Sequence, residues 1–398
     1  MSGNAGEGSG QGGADELRIM RICMLTTTHP PRDGRIFEKE AKSLAKEHGV
    51  TILAPFDAGC VGEDGDVRFV IVRKPASNLL HPVALWRALR ASFACECDVI
   101  HCHEPDALLV ALLLKVVKGR KVVYDVHEHW PSEIPFDLGI PNATALTRIL
   151  EPLLSRGEVL LSRFADAKIA VSESVAERFR GNGTEPVILS NYSIADPGRP
   201  ASQAKSTHSV VYMAGNMQMF HGIQECIQAL SKVATTFPDV SLTLVGNIRQ
   251  DVGAIAARTE PRPEIMMTGY LPYREMYETL REGNVALLVF QPHYYNAYIG
   301  LPNKLFDYML CGLPVVASDF PEIRKVVGDA GCGVLVDPTD PDAIAKAIVY
   351  LLEYPDEARK MGENGRRAVL ERYNWGKMEM RLLLLYRAIE GHAGSDLT

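Results

Sequence analysis

From Leu17 onward, short apolar runs rich in β-branched residues alternate with longer amphipathic stretches, a pattern that predicts repeated strand-helix units around a parallel sheet. The first strand is expected at Arg21–Thr26, followed by a helix over Gly34–His48 and strands at Val50–Ala54 and Arg68–Val72. A helix opening near Pro82 comes next, where proline suits a first turn. Then follow strand Asp98–Cys102, helix Pro105–Val117, strand Lys121–Val126, a long helix Ala143–Phe164, and strands Ala167–Val171 and Pro186–Ser190. After a polar stretch with two prolines and no periodicity the alternation begins afresh. Strands are expected at Ser209–Ala214, Val240–Val245, Ile265–Thr268, Val285–Phe290, Pro314–Ser318 and Gly333–Val336, and the chain closes with helices at Pro341–Leu352, near Pro355–Arg372 and at Trp375–Ile389. The class is α/β: a tail (1–16), a first half (17–195), a linker (196–207), a second half (208–374) and a last helix (375–398) that crosses back to the first half. Two parallel-sheet halves of similar size would bind a ligand between them, at the carboxyl ends of their strands.

Composition narrows the partners. The 398 residues are 46% hydrophobic and 23% charged, an ordinary globular balance. The net charge of -7 is spread over both halves, and neither has the basic excess that nucleic acid demands. The longest apolar run, Ala107–Val117, contains Lys115 and is shorter than the roughly 20 residues of a bilayer span. Met1–Ala14 is Gly/Ser-rich, without the basic start and apolar stretch of a secretory signal, so a cytoplasmic protein with reduced thiols is expected.

The loop after the first strand, Thr26–Gly34, has one glycine and lacks G-x-G-x-x-G, which argues against a dehydrogenase; the absence of G-x-x-x-x-G-K-[ST] argues against a P-loop nucleotidase. The informative stretch is Gly300–Ser318. Pro302 suits position N1 of a helix, Lys304 stands in its first turn, Asp307 on the next, and Gly312-Leu313-Pro314 ends it before a buried strand. Such a helix N-terminus offers free N–H groups and a positive dipole to a phosphate, and Asp307 could accept from ribose hydroxyls. A capped helix packed on a sheet explains the same pattern.

This stretch resembles the nucleotide-sugar element of the retaining GT-B glycosyltransferases of family 4, marked by E-x7-E. Asp307 stands at the second Glu position, which implies a ribose contact, and Ile299 at the first, which removes a carboxylate from the donor sugar and leaves it to backbone around Leu301, Pro302, Asn303 and Lys304. The resemblance covers almost the whole chain. Tyr212–Gly222 is similar to the turn where an Arg and a Lys clamp the pyrophosphate; here those positions are Asn216 and His221, the latter a cation only when protonated. Met267–Pro272 is similar to the turn that reads the base, implicating Gly269, Tyr270 and Leu271. Thr28–Lys39 resembles a D-x-R-I subgroup, with Asp33 and Arg35 facing the acceptor. Val122–Trp130 ends in His127-Glu128, where a family histidine touches the transferred sugar, so His127 is the expected catalytic-site residue with Glu128 beside it; His103 and Glu104 are assigned to the acceptor side.

The implied activity is transfer of a hexose or N-acetylhexosamine from a nucleoside-diphosphate sugar, UDP ahead of GDP, to a glycan or lipid-linked acceptor with retention. The nucleotide sugar is a co-substrate and no cofactor is implied. Lipid-linked acceptors would bring the enzyme to the inner face of a membrane, and the expected helix Ala143–Phe164, with apolar and arginine faces, could lie on that surface or pack on its own sheet. The alternating pairs His101/His103 and His127/His129 could ligate metal with Glu104 or Glu128, yet polar strand ends lining a sugar cleft explain them equally, and no metal is assigned. Asp64-Gly65-Asp66 reads as a turn and Asp340-Pro341-Asp342 as a helix start. Because the clamp residues and first Glu are missing, a non-catalytic binding protein on the same fold is the main rival, and a sugar-nucleotide epimerase the second.

Overall fold

The computed structural model describes residues 19–56, 62–74, 81–137, 145–194, 208–248 and 251–391. The expected tail (1–16) and linker (196–207) lie outside them, as do the first two residues of the helix expected at Ala143–Phe164. The first half is an eight-stranded sheet of β1 (Arg21–Leu25), β2 (Gly49–Phe56), β3 (Glu63–Asp64), β4 (Val67–Arg73), β5 (Val99–Cys102), β6 (Lys121–Val126), β7 (Ala167–Ala170) and β8 (Pro186–Ile188), in the order β3-β4-β2-β1-β5-β6-β7-β8. Every pairing is parallel except the β3/β4 hairpin, whose tip is Gly65 at φ +60°. The second half is six-stranded and all parallel: β9 (Ser209–Met217), β10 (Ser241–Ile248), β11 (Glu264–Gly269), β12 (Val285–Leu288), β13 (Val315–Ser318) and β14 (Gly333–Val336), in the order β11-β10-β9-β12-β13-β14.

In each sheet the order reverses beside the first strand, between β1 and β5 in one half and between β9 and β12 in the other. A crevice opens at such a switch point because the crossovers leave it in opposite directions. The central strands are buried on both faces, which is why they read as unbroken apolar runs.

The helix expected over Gly34–His48 differs. It opens as a π-helical turn, Ile36–Ala41, followed by one short α-turn, Lys42–Leu44. The Asp33 carboxylate accepts from the N–H of Arg35 (2.7 Å) and Ile36 (3.0 Å), and the widened turn sends the Glu40 N–H to the Arg35 carbonyl at 2.9 Å. Arg35 and Glu40 are thereby stacked one above the other, and their buried side chains pair.

The last helix, Trp375–Glu390, packs on the first half's core. Trp375, Met378, Leu382, Leu385, Tyr386 and Ile389 join Met20, Ile36, Phe37 and Leu44 there, and each such burial stabilises by roughly 1.5–3 kcal/mol. Asn374 caps it through Lys377 N–H, and the Trp375 indole donates to Ser43 Oγ at 2.9 Å.

Candidate active site

The two switch points face each other across a cleft of about 960 Å³. On the first-half side, Glu104 at the end of β5 is buried and holds the β1 loop, accepting from Thr27 N–H (3.1 Å), Thr28 Oγ1 (2.9 Å) and Thr26 Oγ1. Burial raises its pKa, although the charge of His29 works against this. Glu104 and the fully buried His103 are therefore set behind the cleft wall, not in it, which corrects their assignment to the acceptor. Asp33 does line the cleft, where its caps and its contact with His29 hold it below the usual carboxylate range despite burial. His29 was missed by the sequence reading. Burial lowers its pKa, but Asp33 at 3.5 Å and Glu104 at 3.8 Å outweigh that and raise it to about 9, making it an imidazolium at neutral pH.

Arg35 also borders the cleft, but its guanidinium is spent inward: Nη2 lies 3.0 Å from Asp125 Oδ1, Nε 2.8 Å from Glu40 Oε1, and Nη1 donates to the Leu189 carbonyl at 2.8 Å. It serves as an electrostatic anchor, not as a group extended to an acceptor. His127 lines the cleft with Nε2 2.7 Å from Asp125 Oδ2 and 3.3 Å from His103 Nδ1; burial lowers its pKa in spite of Asp125. Glu128 lines the cleft beside it. Of the two alternating histidine pairs, His101 and His103 stack with ring centroids 4.7 Å apart, whereas His129 turns to Ser132 Oγ (2.9 Å), and burial lowers its pKa to about 3. Glu40, His103, Asp125 and His127 do converge, but both carboxylates that a metal would need are already paired with the single Arg35 cation.

On the second-half side, Pro302 is the N-cap of helix Asn303–Cys311, one position earlier than expected, and Leu301, Pro302, Asn303 and Asp307 line the cleft. Asp307 Oδ1 accepts from Ser193 Oγ and Tyr277 Oη, both at 2.7 Å, and burial raises its pKa. Lys304 is not itself in the cleft wall: its Nζ lies 5.1 Å from the centroid of the ring of Phe290, which is, and burial, opposed by Asp307, lowers its pKa to about 8. His221 is buried against Phe220, its Nδ1 accepting from Gln218 N–H at 3.0 Å; burial and the neighbouring Lys304 push its pKa to about 3. At neutral pH it is thus the uncharged imidazole. Asn216 is exposed on β9, which runs three residues further than expected and pairs with β10, and it is not in the cleft wall. Gly269 ends β11 at φ +69°, the left-handed conformation that turns the chain and leaves Tyr270 74% exposed, while Leu271 packs on the second-half core. Ile299, at the position of the missing carboxylate, lines the cleft together with Val171 and Val175 and packs there against the apolar cluster of the first half.

Polar contacts missed by the sequence reading also cross between the halves. Glu133 accepts from Tyr294 Oη (2.7 Å) and from Asn296, whose Oδ1 accepts from His129 N–H at 2.7 Å. Ser174 donates to Glu322 through N–H and Oγ at 2.7 and 2.6 Å.

The family described as "Glycosyltransferase Family 4" matches residues 34–191, and "Glycosyl transferases group 1" matches residues 196–368. The chain is 24% identical over 384 residues to a GDP-mannose-dependent α-(1-6)-phosphatidylinositol monomannoside mannosyltransferase of Mycolicibacterium smegmatis, covering 91% of this chain and 97% of that one. Sucrose-phosphate synthase of Thermosynechococcus elongatus superposes with a TM-score of 0.73 at 19% identity over 94% of this chain and all of the other. Anabaena HepE, solved with UDP-glucose, gives 0.69 at 17% identity over 93% and all of the other. With both halves matched in order and two parallel α/β domains meeting at their switch points, the chain belongs to the GT-B glycosyltransferases of the family 4 type.

Proposed function

We propose that the protein transfers a hexose or N-acetylhexosamine from a nucleoside-diphosphate sugar to a hydroxyl of a glycan or lipid-linked acceptor, with retention at the anomeric carbon. The observation that carries this reading is the pairing, across one cleft, of the Leu301–Asp307 element with His127. In this scheme the N–H groups of the Asn303–Cys311 helix and Lys304 take the diphosphate, Asp307 the ribose, and His127 the sugar. The anomeric carbon–phosphate oxygen bond breaks as the acceptor oxygen bonds to the same face, and the acceptor proton passes to a leaving diphosphate oxygen. The enzyme contributes orientation and stabilisation of the developing charge. Asp33 and Glu128 would meet the acceptor, and the turn at Gly269, Tyr270 and Leu271 the base. A UDP-sugar is preferred on the precedent of the HepE complex, and the mannosyltransferase relative makes GDP-mannose the competitor to test.

The lipid-linked alternative for the acceptor is supported by three neighbouring helices of the first half, His81–Ala94, Pro105–Lys118 and Ala145–Ser162. They expose Trp86, Leu109, Leu113, Val116, Ile149, Leu153 and Leu160 beside Arg87, Arg90, Lys118, Arg148 and Arg156. An apolar and cationic face on a protein of net charge -7 suits an anionic lipid surface, and among the described residues no helix is long and apolar enough to cross one.

Thermal shift against UDP, GDP, ADP and their sugars tests the donor site, since a ligand at a hundred times its dissociation constant adds about 2.7 kcal/mol. A shift with one nucleotide and slow hydrolysis of its sugar are expected. No shift with any nucleotide would favour the non-catalytic reading, which the neutral His221 and exposed Asn216 support.

A further inference from the structure

The strongest polar arrangement in the first half lies directly beneath the cleft and is not used by the scheme above. Asp125 is fully buried on β6, two residues before His127, so both side chains leave the same face of the strand end. The Arg35 guanidinium grips it from below, with Nη2 3.0 and 3.2 Å from its two oxygens and Nε 3.3 Å from Oδ2. Arg35 is itself fixed by the π-helical turn and by the Leu189 carbonyl.

We propose that Asp125 is a positioning residue that holds His127 as the neutral tautomer protonated on Nε2, so that the Nδ1 lone pair is kept for a hydroxyl of the sugar in the cleft. This rests on the glycosyltransferase reading. Two buried carboxylates, Asp125 and Glu40, share one permanent cation. Arg35 and the surrounding imidazoles outweigh the burial of Asp125 and hold it well below the usual range, whereas burial and the charge of Asp125 drive Glu40 well above it. Asp125 is therefore the anion and Glu40 carries the proton. An ionised carboxylate only accepts, so the proton in the 2.7 Å contact belongs to His127 Nε2. With that nitrogen spent, Nδ1 is the acceptor left to a ligand.

The groups facing His127 work against a second proton. Burial disfavours its cationic form, as do Arg35 and the His29 imidazolium, whose ring is 5.5 Å away; Asp125 alone favours it strongly. His103 packs on the other side with its ring 5.1 Å away and its Nδ1 3.4 Å from Asp125 Oδ2. His103 is in turn stacked at 4.7 Å on His101, whose Nδ1 meets Tyr386 Oη of the last helix at 2.9 Å. The imidazole is thus clamped from three directions, by a structure built from both ends of the chain.

The test is the tautomer in the wild-type full chain. With [15N]histidine, long-range 1H–15N correlation at pH 7.5 should give His127 a protonated Nε2 and an unprotonated Nδ1, the signals being assigned by their absence in His127→Gln. A proton on Nδ1, or on both nitrogens, overturns the proposal. Asp125→Asn should lower kcat by ~100-fold, as expected when a reacting group is misplaced, with the donor KM within about twofold of wild type. A kcat within twofold of wild type also overturns it. If the variant does not fold, the wild-type spectrum still decides. A wild type inert toward every nucleotide sugar would sink the transferase reading without touching the tautomer, so the two failures are distinguishable.

Discussion

Replacing Arg35 by Met keeps the unbranched stem of the side chain and removes the one permanent cation held by Asp125 and Glu40. Both carboxylates and the guanidinium are almost completely buried, so solvent cannot substitute for the lost charge. Breaking a buried pair from one side costs ~3–5 kcal/mol, because the partner is left as an uncompensated anion. The pH dependence fixes the sign. In the wild type Asp125 titrates below its unfolded value, so its contribution to stability is present above about pH 4 and is lost as pH falls through the depressed folded value. In Arg35→Met burial should instead hold the Asp125 pKa above its unfolded value, so the folded state is penalised increasingly as pH rises. The difference between the two proteins should therefore be largest near pH 7 and shrink toward pH 4. Urea denaturation at pH 7, 5.5 and 4.5 reads this directly as a shift of midpoint at constant slope. Adding Asp125→Asn to Arg35→Met should recover part of the loss in a double-mutant cycle. A destabilisation below 1 kcal/mol at pH 7, or one independent of pH, would refute the assignment of charge in this cluster.

Lys304 loses its proton near pH 8, so nucleotide-sugar affinity measured by calorimetry should fall between pH 7 and 9, and Lys304→Met should bind at least tenfold more weakly at pH 7 with that dependence flattened. A pH-independent wild type would remove Lys304 from the phosphate site. Trp375→Ala should cost ~3–5 kcal/mol of stability, because it empties a site in the shared core and strips Ser43 of its indole partner; a change under 1 kcal/mol would mean that the last helix is not docked as described. Ile299→Glu, which restores the family carboxylate, should lower the melting temperature, because the side chain would meet Val171 and Val175 in an apolar part of the cleft wall; an unchanged melting temperature with tighter donor binding would show that the sugar, not this apolar contact, governs the position.

The strands were legible because parallel strands buried on both faces must be apolar throughout, and β5, β6, β12 and β13 fall where the runs Asp98–Cys102, Lys121–Val126, Val285–Phe290 and Pro314–Ser318 were read. The π-helical turn at Ile36 was not legible, since it follows from a tertiary contact, the burial of Arg35 between Glu40 and Asp125, that no local pattern encodes. Asp125 did leave a trace: a carboxylate inside the run Val122–Val126, in phase with His127, is unexplained by a core strand. His29 stands four residues before Asp33, its main partner, but the burial of that pair and the second partner, Glu104, come from far along the chain. His221 shows the converse: its residue type suggested a switchable cation, and only the packing against Phe220 beside Lys304 shows it to be neutral.

The departures from the family pattern are physically connected. A carboxylate at position 299 would stand in the cleft wall against the apolar Val171 and Val175 of the opposite half, so an isoleucine there strengthens the contact between halves. Asp307, one methylene shorter than the family's Glu, meets Ser193 from the first half and Tyr277 from its own, and both hydroxyls fall on the same oxygen. A ribose hydroxyl approaching Oδ1 must compete with Ser193. Donor binding through that oxygen would therefore weaken one tie between the halves while Glu133, Asn296 and Glu322 keep the others. On this geometry, loss of the first Glu and coupling of the nucleotide site to the first half are two consequences of the same close packing of the halves.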